Sequence, residues 1–291
     1  MTCDNFNGGK NMLISEHTIY LVGTTQALRY SIQEVSAISK KYPISPDMLR
    51  IVYIRSGHCT WVISGNKYFV KAGDIVLLNN TERRYQTDVD PSEPVFQEVI
   101  RFMPVTFEDC ADYLPLFFNR TQNFTNVLSN SYPHRDKIIT LIDWMREEAD
   151  NNALHKDQNM LSLLRLILIN LSRMGEELGM ITDSRCPYGQ NMRHYQTICD
   201  AINYIKANLS EELSATILAE RTGVSRCYFS RIFHALMGMT IPQYIRILRI
   251  RNTRELINNK QYSILDAVYE SGFGSVSSYY KALHSLQIEN E

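Results

Sequence analysis

Hydrophobic and polar residues alternate along the first third of the chain, and the period then changes. Between Met12 and Met103, runs such as Ile51-Val52-Tyr53-Ile54 and Thr60-Trp61-Val62-Ile63 are rich in β-branched and aromatic residues. This composition suits a pleated, half-buried surface and predicts strands. Ser56-Gly57 breaks the first pair, and Ser64-Gly65-Asn66 predicts a tight hairpin turn into Lys67–Val70. Ala72-Gly73-Asp74 turns the chain again before Ile75–Leu78, and Val95–Phe102 closes the series. Short strands at such spacing predict a small barrel or sandwich. From Pro133 the period becomes helical, with Ile138, Leu141, Ile142 and Met145 on one stripe and Arg146, Glu147 and Glu148 opposite or flanking. Over Asp157–Met174, Leu161, Leu164, Leu168 and Leu171 form one apolar line and Leu163, Ile167 and Met174 another. A helix apolar over so much of its circumference must bury two sides. One side is expected to cover the barrel. The other invites a partner chain or a second layer of the same chain.

Residues 1–11 are expected to be a loose leader, and Gly179–Met192 has the Gly, Pro and polar residues of a linker. Ile198, Ile202, Ile205 and Leu209 then mark the first helix of a C-terminal unit. In Leu213–Phe233, Ser214 is placed to cap one short helix, and Ala219 is small enough for a second helix to cross it. Gly223 supplies the turn, and Ser225 caps the next helix. On that helix Phe229, Ile232 and Phe233 form an apolar stripe, and Arg226, Cys227, Ser230 and Arg231 lie opposite. A comparable pattern recurs in Ser263–Leu283. Between the two, Ile241–Asn258 has helical apolar spacing (Ile245, Leu248, Ile250, Leu256), with Pro242 in its first turn, where a missing N–H costs nothing. Eighteen helical residues span about 27 Å, a separation that suits two recognition helices in major grooves roughly 34 Å apart.

These residues resemble the DNA-binding domain of the AraC/XylS family of bacterial transcription regulators. The resemblance rests on Leu218-Ala219 with Gly223-Val224-Ser225, on Arg231-Ile232-Phe233, Gly238, Tyr244 and Arg249, and on Ser263-Ile264 with Gly272-Phe273. It implies DNA contacts from Ser225, Arg226, Cys227, Ser230 and Arg231 in the first unit, and from Val276, Ser277, Tyr280 and Lys281 in the second. Arg226 is placed nearer phosphate. Arg231 is the leading base reader, because a guanidinium can take guanine O6 and N7 together. Three departures from the family pattern stand out: Val268 where a small Ala is usual, Leu283 where a Phe is usual, and no Gly-x-x-Pro-x-x-Tyr-Arg tail with its closing helix before Glu291. Looser packing of the second unit is expected, with apolar surface left for Ile288 to cover.

Upstream, strand, Gly57, strand, Gly65, strand and Lys71-Ala72-Gly73-Asp74-Ile75 resemble the cupin-like sensor domain of the same family. That implies a small-molecule effector, sugar-related at the level of the family alone, held in or at the mouth of the barrel. Tyr53, Arg55, Trp61, Tyr68, Arg83 and Arg84 are candidates to line such a pocket. No effector-binding residue is assigned, because a one-residue slip reverses which face of a strand points inward. A metal cupin needs several converging His and Glu side chains. This stretch offers His58 alone, with Arg83, Arg84 and Tyr85 where a later His often stands. No metal, cofactor or catalytic residue is therefore expected.

The chain of 291 residues has room for two cores, and its 44% apolar and 21% charged residues are ordinary for a globular protein. A net charge of −1 is low for a DNA binder, yet residues 221–254 hold seven arginines and no Asp, Glu or Lys. Such a concentration predicts a phosphate-facing patch. Six scattered cysteines without metal spacing suggest free thiols in a reducing compartment. The N-terminus lacks a signal-peptide pattern, and no apolar run is long enough to cross a bilayer.

The expected fold is α+β and multidomain: a cupin-like effector domain over 1–132, a helical dimerisation segment over 133–180, a linker over 181–193, and an all-α double helix-turn-helix domain over 194–291. The expected function is cytoplasmic, sequence-specific transcription regulation by a homodimer that binds double-stranded DNA and a small-molecule effector, engages RNA polymerase if it activates, and does not bind a membrane. Control by a protein partner, or a cupin enzyme fused to a DNA-binding module, are the alternative readings.

Overall fold

The computed structural model describes residues 11–20, 26–36, 48–80, 82–107, 112–118, 120–129, 132–181, 192–258 and 262–288. Most of the expected leader and linker, and the side chain of Ile288, lie outside these residues.

The N-terminal half is an antiparallel sandwich. Strands β1 (Asn11–Tyr20), β2 (Gln26–Val35), β3 (Leu49–Ser56), β6 (Ile75–Leu78), β8 (Val95–Phe102) and β9 (Val127–Leu128) form a six-stranded sheet in the order β1-β2-β8-β3-β6-β9. Strands β4 (His58–Ile63), β5 (Asn66–Lys71) and β7 (Arg84–Thr87) form a three-stranded sheet, β5-β4-β7, facing it. The β4–β5 hairpin turns through Ser64 and Gly65 with φ of 47° and 85°. Positive φ at both central residues is the geometry that matches the twist of the flanking strands.

Parity divides the large sheet into two faces. Val35, Val52, Ile54, Val76, Leu78, Val95 and Val99 point inward and pack against Cys59, Trp61, Ile63 and Val70 of the small sheet. Leu28, Tyr30, Leu49, Ile51, Tyr53, Ile75, Leu77, Ile100 and Phe102 point outward, under the helices. Those helices are α1 (Pro115–Phe118), α2 (Arg135–Asp150) and α3 (Lys156–Glu177). Helix α2 is anchored at its start by Arg135, which donates from Nε (3.0 Å) and Nη2 (2.6 Å) to the carbonyl of Gly73. On α3, Leu163, Leu164, Ile167, Leu168, Leu171 and Met174 are all buried within the chain. Both apolar lines of the sequence thus pack within the chain, Leu161 only partly buried, and Leu166 is left exposed.

The C-terminal half comprises α4 (Met192–Ala207), α5 (Ala215–Thr222), α6 (Arg226–Met237), α7 (Ile241–Asn258), α8 (Ile264–Glu270) and α9 (Val276–Ile288). The main core runs without a break from the outer face of the large sheet through α1–α3 into α4–α7. A separate, smaller core of Ile250, Val268, Phe273 and Tyr279 holds α8 and α9 against the end of α7. Val268 is fully buried there, so the β-branched residue is accommodated, while Ile264, Leu265 and Tyr269 of α8 stay exposed.

Candidate nucleic-acid interface and barrel site

Each C-terminal helix after α4 starts at a hydroxyl side chain that satisfies an orphan backbone N–H. Ser214 accepts from Ile217 N at 3.2 Å, and Ser225 accepts from Tyr228 N at 3.3 Å. Thr240 and Gln243 cap α7 reciprocally, with Thr240 N donating to Gln243 Oε1 at 2.9 Å and Gln243 N to Thr240 Oγ1 at 3.4 Å. Ser263 accepts from Asp266 N at 3.1 Å, and Ser275 accepts from Ser278 N at 3.1 Å. The caps fix where each helix begins, and hence which side chains share its faces.

On α6, Phe229, Ile232, Phe233, Leu236 and Met237 are buried. Phe233 meets Tyr244 of α7 edge-on, with ring centroids 5.5 Å apart. The same rotation leaves Arg226, Cys227 and Arg231 exposed and Ser230 half-buried. Arg231 Nη2 lies 3.8 Å from Cys227 Sγ, one turn away. The described residues therefore gather the first unit's candidates on one solvent-facing surface near the start of α6, where backbone N–H groups also favour an anion such as a DNA phosphate.

On α9, Ser277, Tyr280 and Lys281 are exposed. The Tyr280 ring is propped against buried Tyr279, with centroids 5.2 Å apart. Val276 is half-buried and packs on the small core, so it offers DNA only part of its surface.

The arginine patch divides. Arg226 and Arg231 face solvent, and exposed Arg221 stacks on Tyr204 with its guanidinium carbon 3.9 Å from the ring centre. Arg249 departs from the sequence expectation. Its Nε donates to Leu209 O at 2.9 Å and its Nη2 to Glu211 O at 2.6 Å, so it clamps the turn between α4 and α5. Burial pulls its pKa below the ordinary arginine value. A residue counted toward phosphate contact is thus an internal brace, because α7 turns it inward. Arg231→Ala is expected to cost roughly 1–3 kcal/mol of specific DNA binding and to relax preference at one base pair. Arg249→Ala should instead lower the unfolding midpoint and weaken all DNA sequences alike. Competition binding against single-base operator variants separates the two, and uniform loss for Arg231→Ala would contradict base reading.

In the barrel, strand parity sorts the sequence candidates. Tyr53 and Arg55 face the helices, where the Arg55 guanidinium sits 4.6 Å over the Tyr53 ring and pairs with Glu98 and with Asp143 of α2. Burial opposes its charge, but the two carboxylates outweigh it and raise its pKa. Tyr30 Oη donates to Glu98 Oε2 at 2.5 Å. Trp61, Tyr68 and Arg84 face the interior instead. There Gln86 Nε2 donates to Gln97 Oε1 at 3.0 Å, and Gln97 Nε2 to Gln33 Oε1 at 3.3 Å, which forms a chain of neutral amides across the sandwich. Cys59, inward and buried, has its thiol pKa pushed up to about 12 by burial, so it remains a neutral thiol. Arg83 is half-buried, and its carbonyl accepts from Ser64 N at 2.8 Å. His58 lies at the surface, 3.8 Å from Glu93, and no cluster of three or more His, Cys, Asp or Glu suited to a metal occurs among the described residues. No helix among those residues is long and apolar enough to cross a membrane.

One contact has no signal in the sequence. Asn80, in the β6–β7 loop, donates from Nδ2 to the carbonyl of Met237 at 2.8 Å. The next residue, Gly238, lies against the Phe118 ring so closely that a Cβ there would overlap it. The C-terminal end of α6 is therefore held by the barrel and α1.

Comparison with known proteins finds two family matches along the chain. Residues 45–168 match the AraC-like ligand binding domain family, and residues 218–286 match a helix-turn-helix domain family. The melibiose operon regulatory protein of Escherichia coli K12 is 33% identical over 139 residues, which make up 47% of this chain and 46% of that protein. An uncharacterised HTH-type transcriptional regulator of Staphylococcus aureus is 21% identical over 233 residues, 79% of this chain and 29% of that one. The chain thus spans about half the length, or less, of these curated relatives. Among solved structures, fatty-acid-bound ToxT of Vibrio cholerae aligns over 89% of this chain and 91% of its own, with 16% identity and a TM-score of 0.49. The AraC-like activator CuxR aligns over 92% and 91%, with 17% identity and a TM-score of 0.39. With an AraC-like ligand-binding family matched over residues 45–168, from β3 into α3, and a helix-turn-helix family over residues 218–286, together about two thirds of the sequence, the chain belongs to the AraC family of transcription regulators.

Proposed function

We propose that this chain regulates transcription by binding double-stranded DNA at two successive major grooves, under control of a small-molecule effector in its barrel. The observation that carries the reading is the exposed face of α6, where Arg226, Cys227, Ser230 and Arg231 point away from the buried Phe229–Phe233 stripe. A second such helix, α9, is held beyond the 18-residue α7, which spans about 27 Å. In this reading residues 1–132 sense the effector, 133–180 form the homodimer contact, 181–193 link, and 194–291 bind DNA. The Asn80–Met237 contact supports a route by which the effector's state reaches α6, since a ligand that prefers one interdomain arrangement shifts its population. A carbohydrate-linked effector and a cytoplasmic location are finer proposals. The first is supported by the 33% identity to a melibiose operon regulator, the second by the regulator family itself. The protein acts by binding rather than by catalysis.

Selection from random duplex DNA, repeated with candidate metabolites, tests this. Enrichment of a site with two half-sites about one helical turn apart is expected. Affinity should fall steeply with salt as phosphate contacts release counterions. Retention of no duplex over competitor DNA under any condition would overturn the reading.

A further inference from the structure

Aligned on their capping serines, α6 and α9 correspond residue for residue. Ser225 accepts from Tyr228 N at 3.3 Å and Ser275 from Ser278 N at 3.1 Å, and each helix begins one residue after its cap. Counted from the caps, buried Phe229 matches buried Tyr279, and exposed Arg231 matches exposed Lys281. Other outward positions differ in kind, with Arg226 against Val276 and Ser230 against Tyr280. One position is identical. The ninth residue after each cap is a histidine, His234 in α6 and His284 in α9, and both are exposed.

At about 100° per residue, a side chain seven positions on returns to within about 20° of its starting direction. His234 therefore stands in line with Cys227, between the directions of Ser230 and Arg231. His284 stands in line with Ser277, between Tyr280 and Lys281. The helical rise puts each imidazole about 4.5 Å beyond the basic residue and about 10 Å beyond the first base-facing one. A reading helix touches base edges mainly with its first residues. Two turns in, on the same face, a side chain meets phosphates at the rim of a groove about 12 Å wide.

The surroundings leave both imidazoles open to a ligand. His17, His58 and His134 each lie beside a carboxylate, whereas His234 and His284 have no ion pair or side-chain hydrogen bond among the described residues. The carboxylates on the helices packed against α6 and α9 are Glu220 of α5, Glu255 of α7, and Asp266 and Glu270 of α8. At the C-terminal end of α6, Glu82 of the β6–β7 loop is paired with Arg120. The nearby cations are Arg231 and Lys281 on the same helices, Arg221 of α5 and the arginines of α7. Of these, Arg246 donates from Nη1 to Ser285 Oγ, next to His284, at 3.5 Å.

We propose that His234 and His284 are phosphate contacts, one on each reading helix, and that each takes up a proton when DNA binds. This rests on the reading of α6 and α9 as the DNA-contacting helices, and adds to it two residues and a proton linkage. Imidazole changes charge between about pH 5 and pH 8, and the charged ring makes a charge-assisted hydrogen bond to phosphate. Contact favours the protonated ring. Binding is therefore strongest where the ring is already protonated, and it weakens as pH rises through the titration of the bound imidazole.

The test is binding of the full chain to a random-sequence duplex several helical turns long, followed by fluorescence anisotropy from about pH 6 to about pH 8 at a series of salt concentrations. Wild-type affinity should rise about tenfold on acidification, roughly threefold from each histidine, as fits exposed charge pairs. His234→Gln and His284→Gln should each remove half of that rise on a logarithmic scale, and the double variant nearly all of it. At the acid end each should also reduce the salt slope by about one, and at the alkaline end neither should. His234→Arg should bind tightly at both ends and lose its share of the pH dependence, which a merely structural histidine would not do. His58→Gln, on the barrel surface, should leave the profile unchanged. A flat wild-type profile, or a rise that survives in the double variant, would overturn the proposal. So would equal losses at both ends of the range, which would make the imidazoles structural, or an altered preference among single-base variants of a selected site, which would make them base readers. Failure to bind any duplex at any pH would remove the DNA-binding reading along with the proposal. Tight binding that ignores pH would keep that reading and remove the histidines alone.

Discussion

Glu98→Leu is expected to destabilise the N-terminal half by about 3–5 kcal/mol, the range for breaking a buried ion pair from one side. The carboxylate is 1% exposed and serves three groups: it pairs with Arg55, accepts from Tyr30 Oη at 2.5 Å, and lies 4.0 Å from Arg146 Nη1. Its removal orphans a buried phenol and leaves Arg55, itself only 22% exposed, with Asp143 alone. Arg55 bridges the sheet to α2 through Glu98 and Asp143, so the loss should fall on the docking of that helix. The triple change Tyr30→Phe, Arg55→Met, Glu98→Leu should recover most of the stability, since replacing the whole network leaves no uncompensated group. Urea unfolding of the single and triple variants decides it, and a single-variant cost below about 1 kcal/mol would mean that the network does not anchor α2. There is also a pH signature. Burial, reinforced by the Glu98 charge, raises the Tyr30 pKa far above the ordinary tyrosine value. The folded state then keeps its proton where the unfolded chain releases it. The stabilisation is complete below about pH 10 and declines above it. Tyr30→Phe should flatten that alkaline decline.

Gly272→Val should unfold or loosen the DNA-binding half while sparing the sandwich. Gly272 has φ of 84°, a region that costs an L side chain roughly 1–2 kcal/mol. A Cβ there would overlap the carbonyl oxygen of Leu209 and come within 2.8 Å of Arg249 Nε. Leu209 O is the acceptor that Arg249 clamps, so the added methyl groups drive apart a hydrogen-bonded pair at the meeting point of α4, α7 and α8. Strain and lost hydrogen bonds together give about 3 kcal/mol or more. Gly274→Ala is the control, because nothing lies within 4 Å of its added Cβ, and it should be nearly neutral. Operator binding measured beside the unfolding midpoint should fall for Gly272→Val alone. Equal effects at the two glycines would show that the clamp does not matter.

The two halves differ in how much of them was readable in advance. Ile241–Asn258 was bounded to the residue by its apolar spacing and Pro242, and the structure has the same limits for α7. The exposed face of α6 followed from Phe229, Ile232 and Phe233, because a 3.6-residue period fixes faces once one of them is buried. Arg249 shows where that local logic stopped. The family resemblance singles it out among the arginines of α7 but gives it no role, and only the path of Leu209–Glu211 past α7 made it a brace. The surplus apolar line of α3 left a partner chain and a second layer of the same chain both open, and Leu163, Ile167 and Met174 pack within the chain while Leu166 of the same helix stays exposed.

The sequence by itself determined the strands from Ile51 to Leu78 and over Val95–Phe102, the caps at Ser214 and Ser225 and the paired helix-turn-helix architecture, since these depend on residues within a turn or two of one another. The tertiary structure alone decided which face of each strand points inward and that Asn80 holds the end of α6. Strand parity reverses with a single-residue slip, and contacts between distant segments are set by pairing register and helix crossing, which no local pattern encodes.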